Sequence, residues 1–177
     1  FNGLDPTGDW KLEVFDRAGA DQGLVNSFRL DLTLLSTVGE KQTEFRTETT
    51  GYGASTVITD VDLKLDISHY RVEDLKIELE HVASDTTVTT VTLFDRGDLT
   101  GADLAGTVFD AGAGSSITSG SEPYIGNFTA DPGNMEAFAG KEANSIWNLR
   151  ITDWTTDSPL LVTGTLNSWD LTLRTTG

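Results

Sequence analysis

Val61-Asp62-Leu63-Lys64-Leu65-Asp66-Ile67 is the stretch that decides the fold. Successive side chains of an extended chain point to opposite faces. Val61, Leu63, Leu65 and Ile67 therefore share an apolar face, and Asp60, Asp62, Lys64 and Asp66 a charged one. Leu75, Ile77 and Leu79 repeat the pattern against Lys76, Glu78 and Glu80. Val91 and Leu93 continue it after a Thr-rich approach, where β-branched threonine suits a half-buried strand. Trp147, Leu149 and Ile151 form another such face, and Trp169, Leu171 and Leu173 the last. No segment sustains a helical period. The 18 glycines and the Asp/Asn/Ser clusters fall between the alternating runs, where turns need them. An antiparallel β-sandwich is the expected fold.

The beginning of the chain reappears near its end. Phe1 and Phe138, Trp10 and Trp147, and Asp16 and Asp153 are each 137 positions apart. Gly23-Leu24-Val25-Asn26-Ser27-Phe28 then answers Gly164-Thr165-Leu166-Asn167-Ser168-Trp169, and Asp31-Leu32-Thr33-Leu34 answers Asp170-Leu171-Thr172-Leu173. A repeat of this length calls for a modular reading. Residues 1–35 read as the tail of a preceding module, 36–55 as a linker merging into a first strand, and 40–177 as a complete module. On that reading the chain is a piece of a longer protein. The tail holds two amphipathic strands, with Trp10, Leu12 and Val14, then Phe28, Leu30 and Leu32. Such a pair is marginal alone in water. The complete module already owns its copy of these strands, so the expectation is self-association through residues 1–35 across a dimer axis. The Gly- and Ser-rich stretch 111–121 reads as a surface loop.

With 37% hydrophobic residues the chain can bury a core, which argues against wholesale disorder. Its net charge of −16, from 12 basic and 28 acidic residues, argues against a nucleic-acid or anionic-membrane partner. No apolar run is long enough to cross a bilayer as a helix, so membrane insertion is not expected. There is no cysteine, hence neither a disulfide framework nor a thiolate metal site.

Several segments in order resemble a known family. Ile67-Ser68-His69-Tyr70-Arg71-Val72-Glu73-Asp74-Leu75 is similar to a His-Thr-Tyr-Arg-Gly-Asp-Leu type strand end, one residue longer at its Arg-Gly-Asp. Thr107-Val108-Phe109-Asp110 and Pro123-Tyr124-Ile125-Gly126 follow. Phe138-Ala139-Gly140, then Trp147-Asn148-Leu149-Arg150-Ile151-Thr152-Asp153 and Leu166-Asn167-Ser168-Trp169-Asp170-Leu171, complete the set. Together they resemble the P domain, or P/Homo B domain. That domain stands beside the catalytic domain of kexin- and furin-like proprotein convertases, and at the C-terminus of secreted bacterial subtilisin-like and metallo-proteases. The resemblance spans about residues 40–174. It implies a jelly-roll sandwich of about eight strands and a non-catalytic role, with His69, Arg71, Trp147 and Trp169 as motif residues of the scaffold.

A catalyst needs a nucleophile, a base and an orienting group brought together. The chain has two histidines, and neither His69 nor His81 sits in a subtilisin-type motif or a His-Glu-x-x-His helix. His69 reads as a structural imidazole bonded to loop groups, and His81, at a strand end, as solvated. Calcium takes several oxygen ligands on turns and strand ends. One candidate set is Asp95, Asp98 and Asp103 in a glycine-containing turn, and a second is Asp74, Asp110 and Asp153 at strand ends. Neither has an EF-hand spacing. The ordinary reading of Asp74 is a buried pair with Arg71, and that of residues 95–103 an Asx-rich loop. Arg96-Gly97-Asp98 is a common tripeptide and carries no adhesion argument. Trp147 and Trp169 sit on core faces, whereas Trp154 is out of phase and is expected to face solvent.

The leading expectation is an accessory domain of a secreted bacterial protease, of serine endopeptidase or metalloprotease type. Its partner would be the neighbouring catalytic domain, which it stabilises or to which it helps present substrate. The alternative is a tandem-repeat binding or adhesion module of a surface or secreted protein without protease activity.

Overall fold

A computed structural model describes residues 42–53, 55–154 and 164–176, with 42–49 as backbone. The repeated tail, residues 1–35, and the expected start of the module at residue 40 lie outside the described residues. Eight strands follow in order: β1 Gln42–Thr49, β2 Ile58–Ser68, β3 Leu75–Val82, β4 Val88–Phe94, β5 Leu104–Asp110, β6 Gly126–Phe128, β7 Ile146–Asp153 and β8 Thr165–Thr175. They form two four-stranded sheets, ordered β1-β7-β3-β4 and β6-β5-β2-β8. The chain is an all-β sandwich, as the alternation requires.

One pair departs from the antiparallel expectation. β6 runs parallel to β5, with Thr107 opposite Gly126. Parallel pairing needs a long connection, and residues 111–125 supply it by carrying the chain back along β5. That connection is not merely a surface loop. Ser116 caps a short 3-10 turn at Ile117–Ser119, accepting a hydrogen bond from the Thr118 N–H, and Ile117 is fully buried.

The inner faces carry the predicted residues. Val61, Leu63, Leu65 and Ile67 on β2, Leu75, Ile77 and Leu79 on β3, and Trp147 and Leu149 on β7 are all buried. The 3-10 turn Met135–Phe138 presses Phe138 edge-on against Trp147 at 4.9 Å between ring centres. Among the described residues no helix is long and apolar enough to cross a membrane.

The two strands copied in the tail hold unequal positions. β7 lies between β1 and β3 and is hydrogen-bonded on both edges. Among the described residues β8 pairs with β2. Trp147 is 0% exposed, whereas Trp169, Leu171 and Leu173 are only partly buried against the core. The core expectation for Trp169 is corrected to that extent; among the described residues β8 has a strand neighbour on one side.

Candidate functional site

Most of the residues singled out by sequence meet at one end of the sandwich. β2 ends at Ser68, so His69 turns the chain across to the other sheet, and β7 ends there at Asp153. The His69 imidazole is 3% exposed and tied on both nitrogens. The Arg71 N–H donates to its Nδ1 at 3.1 Å, which leaves the Nε2 proton for Asp153 Oδ2 at 3.2 Å. A hydrogen bond from one sheet's end to the other's is the result. Both ring nitrogens are thus engaged by protein groups.

Adjoining loops close over this bond. The His69 N–H donates to Asp103 Oδ1 at 2.8 Å, and the Asp103 N–H returns to the His69 carbonyl at 2.9 Å. The Gly97 N–H donates to the Glu73 carbonyl and the Val72 N–H to the Gly101 carbonyl, so the segments 69–74 and 95–103 are joined along their length. Gly164 is part of the same packing. A Cβ there would lie 2.4 Å from Cδ2 of the pinned imidazole, so only glycine fits without displacing the ring. Gly23 stands at the matching place in the repeated tail.

The carboxylates of this end are engaged with the protein's own donors. Asp74, 6% exposed, faces Arg71 Nε at 3.5 Å, the pairing expected of it. Asp95 Oδ1 accepts from the Arg96 N–H and Asp98 Oδ2 from the Asp95 N–H, each at 2.7 Å. Residues 95–103 thus form an Asx-rich loop whose carboxylates hold backbone. Trp154 is half-buried, with the Arg96 guanidinium 5.9 Å from its ring centre, so the expectation of a free aromatic there is corrected. Tyr70 at this corner is 72% exposed.

Asp110 stands at the opposite end of the sandwich from Asp74 and Asp153, since β5 leaves the His69 corner at Leu104 and ends at Asp110. The proposed trio Asp74, Asp110 and Asp153 is therefore not one site. Asp110 instead joins Asp60 and Asp62. These three each offer an oxygen within 4.8 Å of the others, the one such group of three among the described residues. Cross-strand register brings them together, with Asp62 opposite Asp110. Arg174 of β8 reaches over, its Nη2 2.9 Å from Asp62 Oδ2 and its Nη1 against Asp60. Burial pushes the Asp62 carboxyl above its usual range and Asp110 and Asp60 push it further, while Arg174 pulls the other way.

His81 overturns its sequence reading. It is 0% exposed, packed edge-on against Trp147 at 4.9 Å, with Nε2 2.9 Å from the Glu142 carbonyl. The signal was present in the alternation, because His81 has the parity of the inward-facing Ile77 and Leu79. All three are buried on that one face of β3. Beside it opens a cleft of about 300 Å³ bordered by Ser84, Asp85, Thr87, Lys141 and Glu142. Glu142 is drawn in by the Ser84 hydroxyl at 2.9 Å and by the Ser84 N–H. The imidazole offers the cleft no accessible nitrogen, since its Nδ1 is enclosed.

Comparison with protein families, with curated proteins and with solved structures returns no match.

Proposed function

We propose that this sandwich is a non-catalytic accessory domain of a secreted bacterial protease, which stabilises a neighbouring catalytic domain or helps present its substrate. The observation that carries this reading is how the P-domain-like motif residues are used. His69, Arg71, Asp74 and Asp153 are engaged in joining strand ends and loops, and Trp147 fills the core. Reactive groups of a catalyst would instead converge on an open site. A rigid corner with an exposed Tyr70 at its rim suits a surface pressed against another domain. The test is deletion of residues 42–177 from the polypeptide that carries them. Loss of secreted, active peptidase is the expected result, and unchanged secretion and activity would overturn the reading. Inhibitor-sensitive hydrolysis of casein by the homogeneous 177-residue chain would overturn its non-catalytic part.

Calcium belongs to the same proposal, with a different ligand set from the one read in the sequence. Asp60, Asp62 and Asp110 supply the hard oxygen donors that calcium takes. Arg174 already neutralises two of them, so the set fits a divalent cation only when that side chain withdraws.

The tandem-repeat binding module is the second reading, favoured by the repeat of residues 1–35 in 138–173. A gene that carries several such repeats and no peptidase motif would select it.

A further inference from the structure

We propose that the cleft between the β3–β4 turn and residues 141–142 binds a neutral saccharide, independently of the accessory role argued above. The cleft measures about 300 Å³ and is bordered by Ser84, Asp85, Thr89, Lys141 and Glu142, with the buried His81 beneath it. That volume stands at the small end of the range for ligand sites and suits about one sugar ring.

The walls are fixed before a ligand arrives. His81 Nε2 donates to the Glu142 carbonyl at 2.9 Å, the Ser84 hydroxyl to Glu142 Oε2 at 2.9 Å, and the Ser84 N–H to Glu142 Oε1. The Ile58 N–H donates to the Lys141 carbonyl at 2.8 Å. On the facing turn the Thr87 N–H donates to Asp85 Oδ1 at 2.8 Å, and the Ala83 N–H to the Thr87 carbonyl at 2.9 Å. A preformed site has little ordering cost left to meet on binding.

What the cleft leaves unused defines the ligand. Lys141 is half-buried and makes no ion pair among the described residues. Arg71, Lys76 and Arg150, the other half-buried cations there, each face a carboxylate. A sheltered lysine is normally paired, and this chain has 28 acidic residues against 12 basic ones to pair it with. Thr89 lies opposite His81 in the β3–β4 register, half-buried, and its hydroxyl makes no hydrogen bond among the described residues. Asp85 and Glu142 keep lone pairs beyond those already engaged. The cleft thus holds an ammonium that only donates, carboxylates that only accept and a hydroxyl that does both. An anion would meet Asp85 and Glu142, a cation would meet Lys141, and like charges set side by side are costly. A neutral ligand whose groups each donate and accept meets neither penalty. The hydroxyls of a sugar ring are such groups.

The repeat shows that the scaffold does not demand this lysine. At the constant offset that matches Phe1 with Phe138 and Trp10 with Trp147, Lys141-Glu142 stands where the tail has Leu4-Asp5. The acid is kept and the cation is not, so Lys141→Leu is a change that the module's own pattern accommodates.

The test is an amide chemical-shift titration of the 177-residue chain with the methyl glycosides of glucose, galactose, mannose and N-acetylglucosamine at millimolar concentrations. At least one should give saturable shifts confined to residues 81–89 and 141–142. Lys141→Leu should weaken that binding by about tenfold or more, and Thr89→Val, which keeps a β-branched strand residue, by about threefold. Lys64→Leu, at an exposed lysine on β2, should leave it unchanged. No saturable shift with any of the four glycosides would overturn the proposal. Shifts at these residues with sodium acetate and with none of the glycosides would make the cleft a carboxylate site and overturn it too. Undiminished binding in both Lys141→Leu and Thr89→Val would do the same.

Discussion

β7 and β8 share one sequence pattern and are held by different forces. Trp147-Asn148-Leu149-Arg150-Ile151 and Trp169-Asp170-Leu171-Thr172-Leu173 read alike, and both reappear in the tail. β7 is flanked by β1 and β3, and its tryptophan is packed against Phe138 and His81. β8 has β2 on one side and is fastened there by Arg174, a residue whose side chain is 60% exposed, to Asp60 and Asp62. Burial holds the first strand; pairing and surface charge hold the second. Alternation gives the face of a residue, and sheet position gives its energetic weight.

The comparison can be broken most directly at the two tryptophans. Trp147→Ala should destabilise the chain by about 3–5 kcal/mol, the range for truncating a buried large aromatic. Trp169→Ala should cost about 1–2 kcal/mol, because less area leaves water when β8 folds. Urea midpoints of both variants decide the matter. Equal losses would mean that Trp169 is covered as fully as Trp147, which the sandwich alone does not do.

Gly164, just before β8, tests the corner that both strands share. Gly164→Ala places a methyl against the pinned His69 ring and should cost about 1–3 kcal/mol, as overpacking does. Gly114→Ala, at a position with open space, should stay within about 0.5 kcal/mol of the parent. A loss at Gly164 no larger than at Gly114 would mean that the imidazole moves freely.

These contrasts also explain what was legible. β2, β3 and β7 have one wet face and one dry face, so their alternation was plain in Val61–Ile67, Leu75–Leu79 and Trp147–Ile151. β1 was read as linker merging into strand, since Gln42–Thr49 is mostly Thr and Glu and shows no apolar stripe. The parallel β6 is three residues long and has no period to read. Asp60 and Asp62 looked like the solvated face of β2, and only register against β5 brings Asp110 beside them. Sequence spacing is silent on such pairings, because strands far apart in the chain become neighbours through topology alone.

The anchor of β8 is expected to matter less than the core. Arg174→Ala should cost no more than about 1 kcal/mol, since exposed ion pairs are screened and cost side-chain entropy. Its sharper consequence concerns calcium. With the guanidinium gone, the three carboxylates have no counter-charge from β8, and millimolar calcium should raise the melting temperature more in Arg174→Ala than in the parent. Identical shifts in the two proteins, measured against a chelator, would exclude these carboxylates as the ligands.

Asp110→Asn probes the same anchor at its smallest scale. The asparagine keeps a carbonyl oxygen for the Gly112 N–H, which Asp110 Oδ1 now accepts at 2.7 Å, so the turn should persist. What changes is the charge facing Asp62. Burial is the main reason that the Asp62 carboxyl lies above its usual range in the folded chain, and Asp110 adds to it. A carboxyl raised by folding binds its proton more tightly in the native state than in the unfolded one. Its ionised form therefore opposes folding above the folded pKa, and that opposition is relieved as pH falls through the folded pKa toward the unfolded one. Removing the Asp110 charge should bring Asp62 down toward its ordinary range and stabilise the chain at pH 7 by a few tenths of a kcal/mol, about what a screened surface repulsion is worth. Below both pKa values Asp62 is neutral in either state, and that part of the gain should vanish. Carboxyl carbon shifts of Asp62 followed through a titration, beside urea midpoints at neutral and acidic pH, measure both effects. An Asp62 titration unmoved by Asp110→Asn would mean that the two carboxylates do not share one field.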